Sequence, residues 1–158
     1  MRHLRLFFLF LTLIVNSIIA FSQDSNIGFH ITMNDISGLN AELRYEKYIA
    51  SRWLIGSSVA SNFQNSISAT VGLKYDILKS TKFSLFTGLD YKFESINLHI
   101  SENVTKTYNS IEIPIEFRYN LSDRMSLNVG FSIPFSLDKG RQDEYLFNNY
   151  RFGVIRRF

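Results

Sequence analysis

Apolar and polar side chains alternate one by one along much of this chain. Ile111, Ile113, Ile115, Phe117, Tyr119 and Leu121 are separated by Glu112, Pro114, Glu116, Arg118 and Asn120. Met125, Leu127, Val129, Phe131, Ile133, Phe135 and Leu137 are separated by Ser126, Asn128, Gly130, Ser132, Pro134 and Ser136. Phe83, Leu85, Thr87, Leu89, Tyr91 and Phe93 stand against Ser84, Phe86, Gly88, Asp90 and Lys92. A strand sorts such a pattern onto two faces, whereas a helix would mix the two sets around its circumference. The whole chain read this way predicts eight strands, at 26–33, 38–48, 53–63, 67–77, 82–94, 109–121, 125–137 and 148–158. Most are about as long as the ~9–11 residues that a tilted strand needs to cross a bilayer.

The connections alternate too. Tight turns are expected at 49–52, 78–81 and 122–124, and longer or more polar ones at 34–37, 64–66, 95–108 and 138–147. Short turns on one side and longer loops on the other are the asymmetry of an outer-membrane barrel. An even strand count brings both ends of the barrel to the short-turn side.

Residues 1–5 are short and basic, 6–15 are almost wholly apolar, and Ala20-Phe21-Ser22 follows. This is the layout of a secretory signal peptide, with cleavage expected after Ser22. The apolar run is about half the ~20 residues of a spanning helix. The expected organisation is a leader over 1–22 and one β-barrel domain over 23–158. The chain has 158 residues and no Cys, so one domain without disulfides is expected. Its net charge of +3 is weak evidence for a nucleic-acid partner, because Arg2 and Arg5 lie in the leader and no basic run is interleaved with aromatics.

Alternation alone leaves open which face looks inward, since a lipocalin-like soluble barrel also alternates. Three features point to an apolar exterior. The polar face is often small, as at Gly56, Ser58 and Ala60, which suits a lumen with room only for side chains. Aromatic residues gather near strand ends: Tyr48, Trp53, Tyr75 and Tyr119 on the short-turn side, and Tyr91, Phe93, Phe135, Phe147 and Tyr150 on the other. Two such girdles suit the two membrane interfaces. Phe158 closes an alternating strand in phase with Tyr150, Phe152 and Val154, and is a candidate assembly signal for the barrel-assembly machinery.

The run Ile111-Glu112-Ile113-Pro114-Ile115, with the final strand and the leader ending Ala20-Phe21-Ser22-Gln23, resembles the porin-family outer-membrane β-barrel domain of the Bacteroidota type. The resemblance implies an all-β fold, a single closed antiparallel eight-stranded barrel. It also implies an outer-membrane address, contact with outer-membrane lipid, and no shared catalytic residues. The chain is short for that family.

The expected inner face carries a lumen charge network of Glu42, Arg44, Glu46, Lys74, Asp76, Asp90, Lys92, Glu112, Glu116, Arg118, Arg151 and Arg157, with Glu94 beside it. Balanced charges in a narrow barrel should pair, because unpaired buried charges cost several kcal/mol. Arg118 is expected to meet Asp90 and Lys92. The bland reading, that these residues plug and stiffen the barrel, ranks above an open path, which usually needs more strands. Pro114 and Pro134 suggest a bulge or a bend. Arg at lipid-facing Val129 should harm assembly more than Arg at Ser132.

His30 and His99 are the only imidazoles after the leader, and no Gly-x-Ser-x-Gly, His-Glu-x-x-His or metal-ligand cluster occurs. No catalytic residue, metal or cofactor is assigned. The 95–108 loop carries Ile96, Leu98 and Ile100 in alternation, so its hairpin could extend beyond the membrane and offer a strand edge to a protein partner. The leading expectation is a non-catalytic barrel with a structural, anchoring or partner-binding role. A narrow channel for small or amphipathic solutes is second, and a membrane-embedded enzyme third.

Overall fold

A computed structural model describes residues 25–34, 37–62, 65–100, 102–137 and 149–158. The expected leader and Phe147 lie outside these residues. Eight strands form: β1 (Ser25–Asn34), β2 (Gly38–Tyr48), β3 (Trp53–Ser61), β4 (Ser66–Lys79), β5 (Phe83–Ile100), β6 (Glu102–Asn120), β7 (Met125–Ser136) and β8 (Asn149–Arg157). Each pairs antiparallel with its neighbour, and β8 returns to β1, so the sheet closes on itself and no edge runs the length of the barrel.

Burial settles the question that alternation left open. Val129 is 50% exposed and Phe152 55%, while Glu116 and His30 on the other face are fully buried. Side chains such as Phe29, Leu43, Val59, Val71, Leu89 and Phe117 continue the exposed apolar band around the outside. A contiguous apolar belt of this extent is unfavourable in water and favourable in lipid. The core is therefore the lumen, and it is mainly polar.

The tight turns close as the sequence implies. Ile49 N donates to Trp53 O at 3.0 Å, Ser80 N to Phe83 O at 2.9 Å and Leu121 N to Met125 O at 2.9 Å. Gly38, at the start of β2, has φ of 71°, a conformation that L side chains rarely adopt.

Two expectations are corrected. First, 95–108 is not a loop: β5 and β6 stay paired from Ser95↔Thr107 to Ile100↔Glu102. Ile96, Leu98 and Ile100 on β5 and Val104, Thr105 and Thr107 on β6 are residue types that favour extended backbone, which prolongs the ladder. β4 begins opposite Ile96 and β7 ends opposite Ser110, so this hairpin rises beyond its neighbours. Second, the prolines do not bulge. The β6–β7 register runs unbroken through Pro114↔Ser132 and Glu112↔Pro134. On the other side, pairing stops at Thr87↔Ile115 and resumes in the same register at Asp90↔Glu112. The two missing rungs lie opposite Pro114 and Ile113, and Pro114 has no N–H to donate. The register shift falls instead in β4, where Ile77 is an extra residue between Asp76↔Phe86 and Leu78↔Leu85. The bulge turns both Ile77 and Leu78 outward.

Gly88 allows a close approach of strands. A Cβ there would lie 2.0 Å from the Leu73 carbonyl oxygen, a backbone atom that cannot swing aside. Gly88→Ala should therefore lower stability by about 1–3 kcal/mol, as overpacking does. Equilibrium unfolding in urea checks this, and an unchanged midpoint would contradict the close approach.

Candidate functional site

The inner faces of β2, β4, β5, β6 and β8 carry the charged side chains. β1, β3 and β7 face them with small or neutral ones, such as Gly28, Gly56, Ser58, Ala60, Asn128 and Gly130. The small residues make room: a Cβ on Gly56 would sit 3.3 Å from Glu46 Cγ, and one on Gly130 would sit 2.9 Å from Glu116 Cγ.

Glu116 is the hub. Its Oε1 accepts hydrogen bonds from Arg44 Nη1, from Lys74 Nζ at 2.7 Å and from Arg151 Nη1 at 2.6 Å. Its Oε2 accepts from Arg118 Nη2 at 3.2 Å. Glu46 Oε1 takes Arg118 Nη2 at 2.7 Å and Lys74 Nζ at 3.4 Å. Glu42 bridges Arg44 Nη2 at 3.1 Å and Arg151 Nε at 2.8 Å. Three carboxylates and four cations are thus joined across the lumen, with every side chain at most 7% exposed. Such a web is favourable only when the geometry satisfies each charge, as it largely does here.

A second cluster lies toward the β5–β6 hairpin. Lys92 Nζ is 3.1 Å from Glu94 and 3.8 Å from Glu112. Glu112 also accepts from Ser132 Oγ and Asn149 Nδ2, each at 2.6 Å. At the short-turn end, Leu54 and Phe86 are buried in the lumen, and the Arg118 guanidinium lies 4.3 Å from the centre of the Phe86 ring. The bore is thus filled by apolar groups at one level and by ion pairs at the next.

The structure brings Glu42, Arg44, Glu46, Lys74, Glu116, Arg118 and Arg151 into one web, and Lys92, Glu94 and Glu112 into the second cluster. Asp90 is buried near Arg44 and Lys74, beside Gly56 and Gly72. Arg118 does not meet Asp90 or Lys92. The register sets it opposite Ser84, six residues along β5 from Asp90, so it reaches Glu46 and Glu116 instead. Asp76 is buried, but neither carboxylate oxygen has a hydrogen-bond partner.

Arg157 is in phase with Arg151 yet exposed, because it lies at the last rung of β8, beyond the packed lumen. Tyr48 likewise departs from the girdle. It shares the inward phase of Glu42, Arg44 and Glu46, at the mouth, with Lys79 Nζ 5.4 Å from its ring centre. The other girdle candidates face outward. Trp53 and Tyr75 have ring centres 5.0 Å apart, and Tyr119 and Phe158 are exposed at the same end. Tyr91, Phe93, Phe135 and Tyr150 are exposed toward the other.

His30 is buried and crowded by Gly28 and Gly153, and its ring hydrogen-bonds the Asn128 amide at 3.1 Å. The side chain of His99 lies outside the described residues. Among the described residues no group of three His, Asp or Glu side chains could hold a metal. Leu54, Asn149 and the stacking role of Phe86 were not singled out by sequence. Phase marks Phe86 as inward, but only the closed barrel sets its ring beneath Arg118.

No family model and no curated protein matches this chain. Solved structures do. The N-terminal β-barrel domain of Pseudomonas aeruginosa OprF superposes with a TM-score of 0.73 at 9% identity, over 87% of this chain and 98% of that one. A de novo designed transmembrane β-barrel gives 0.63 at 8% identity, over 87% and 97%. The Yersinia pestis outer membrane protein Ail in a phospholipid bilayer nanodisc gives 0.55 at 12%, over 85% and 99%. At these identities the likeness establishes the fold: the chain is a closed eight-stranded antiparallel β-barrel of the kind found in outer-membrane proteins.

Proposed function

We propose that this protein is a non-conducting barrel of a Gram-negative outer membrane, exported by a leader over 1–22, with a structural, anchoring or partner-binding role and no catalysis. The observation that carries this reading is the Glu116-centred web, which crosses the lumen from β2 to β6. The exposed apolar belt and the outer-membrane barrels it resembles in fold support the location. The narrower kinship with the Bacteroidota type rests on the 111–115 motif and belongs to the same proposal, as does docking through Phe158 to the barrel-assembly machinery. The extended β5–β6 hairpin, which rises past β4 and β7, is where a protein partner would add a strand. His30 sits against an amide and small residues, an arrangement that suits packing better than proton transfer.

The test is electrical. The purified barrel in a planar bilayer should show almost no steady current. A second reading, a narrow solute path, draws on the polar recess lined by Thr32, Asn40, Ser68, Lys92 and Glu94 above the web. A stable porin-like conductance in the wild-type protein would promote that reading and sink the plugged barrel. Fractionation of the protein as a soluble periplasmic species would overturn the membrane location itself.

A further inference from the structure

The end of the barrel that carries the three tight turns is strongly cationic. Arg52 lies in the β2–β3 turn, Lys79 ends β4, Lys82 lies in the β4–β5 turn, Arg124 lies in the β6–β7 turn, and Arg156 and Arg157 end β8. All six are exposed. Backbone hydrogen bonds tie the turns to one another: Asp76 N to Arg52 O at 2.9 Å, Asn120 N to Lys82 O at 2.7 Å, and Arg157 N to Arg124 O at 2.8 Å. The six cations therefore form a rim around one mouth rather than a scatter. Among the described residues Asp123 is the exposed carboxylate of that rim, while Glu46 and Asp76 toward this end are buried in the lumen. None of the six is ion-paired to a described carboxylate; Lys79 donates instead to Ser51 O at 2.8 Å. Toward the other mouth Lys92 is instead paired with carboxylates, Glu94 at 3.1 Å and Glu112 at 3.8 Å.

Directly beyond the rim the outer wall is apolar and aromatic, with Trp53, Phe83, Tyr119 and Phe158 exposed. The Arg156 guanidinium lies 5.1 Å from the Phe158 ring centre, so charge and aromatic wall are contiguous. An open recess lined by Tyr48, Ser51, Lys79 and Arg157 brings two of the cations into one concavity. Guanidinium groups match phosphate oxygens in geometry, and a basic cluster at a membrane surface attracts anionic lipid. A free polyanion would need only the charge. A phosphodiester with acyl chains would use both the charge and the adjoining apolar wall.

We propose that this rim is a collar for anionic phospholipid headgroups, which holds a shell of phosphatidylglycerol-type lipid around the short-turn end. The proposal rests on the membrane-barrel reading above. The full-length wild-type barrel is reconstituted into phosphatidylcholine vesicles with or without a minor fraction of phosphatidylglycerol. Spin-labelled lipids then report which headgroup is immobilised at the protein surface.

The expected result is about a threefold or greater preference for the anionic headgroup at low salt, which falls toward parity at high salt. Arg52→Gln/Lys79→Gln/Lys82→Gln and, separately, Arg124→Gln/Arg157→Gln should each lose most of it, while Lys106→Gln keeps it. Absence of preference in the wild type, or a preference untouched in both rim variants, overturns the collar. Equal competition by free glycerol phosphate or a soluble polyanion makes the rim a general polyanion surface and also overturns it. A rim variant that fails to fold leaves the other variant and the wild-type salt series to decide. Entry into both vesicles without preference removes the collar alone, whereas failure to enter either removes the membrane reading with it.

Discussion

Replacing Glu116 by alanine is expected to lower the unfolding free energy by about 3–5 kcal/mol, the cost of leaving buried charge uncompensated. Four cations converge on this carboxylate: Arg44, Lys74, Arg118 and Arg151. Without it, Glu42 and Glu46 must serve all four, each buried in the lumen. Arg118→Ala should cost less, because Glu46 and Glu116 keep Lys74 and Arg44. Glu116→Gln separates charge from shape, since it keeps the side-chain shape and one acceptor oxygen but removes the negative charge. It should fall between wild type and alanine. Urea unfolding of folded barrels, read by heat-modifiable gel mobility, provides the measurement. Because these pairs are screened little, the difference should persist in high salt. A Glu116→Ala barrel as stable as wild type would mean that the web is decorative and the lumen wet.

Val129→Arg is expected to cost roughly 2–4 kcal/mol, the depth-dependent cost of a cation at the lipid-facing midplane of a barrel. Val129 lies midway along β7, points outward and is half exposed to the surroundings. Met125, on the same face at the start of β7, should tolerate Arg at about 0–1 kcal/mol, because it lies near the turn and the interface. Val129→Ser controls for volume and should cost little. The comparison with Ser132→Arg, natural from the alternation, does not discriminate. Ser132 is 1% exposed and donates to Glu112, so Arg there would overpack the lumen and break a hydrogen bond. Refolding yield into lipid vesicles and urea midpoints measure both variants. Equal costs at 125 and 129 would mean that no hydrocarbon layer surrounds this face.

The strand alternation was legible because a period of two leaves only two faces, and a closed barrel needs one of them uniformly apolar. That is why the seven residues of the Glu116 web could be named before any contact was known. Their partners could not be named. The same reasoning put Arg118 beside Asp90 on the adjacent strand, and placed Tyr48 in an outer girdle because it is aromatic and near a strand end. Phase was the better guide: Tyr48 shares the parity of Glu42, Arg44 and Glu46, and the structure turns it to the mouth.

By itself the sequence determined the number of strands, their antiparallel order, the tight turns and which side chains share a face, because each depends on neighbours along the chain or on one adjacent strand. Only the tertiary structure decided which charges meet. Arg44 reaches Glu116, and Arg118 reaches Glu46, over 72 positions in the chain and from opposite walls of the barrel. Closure and stagger set those distances, and neither is written in any local pattern. The same holds at the ends. Arg157 keeps the inward phase but has no wall left to face, and the β5–β6 hairpin continues as strand where a loop was expected. Alternation tells a side chain which way to point, while the height at which the barrel stops tells it whether anything is there to meet.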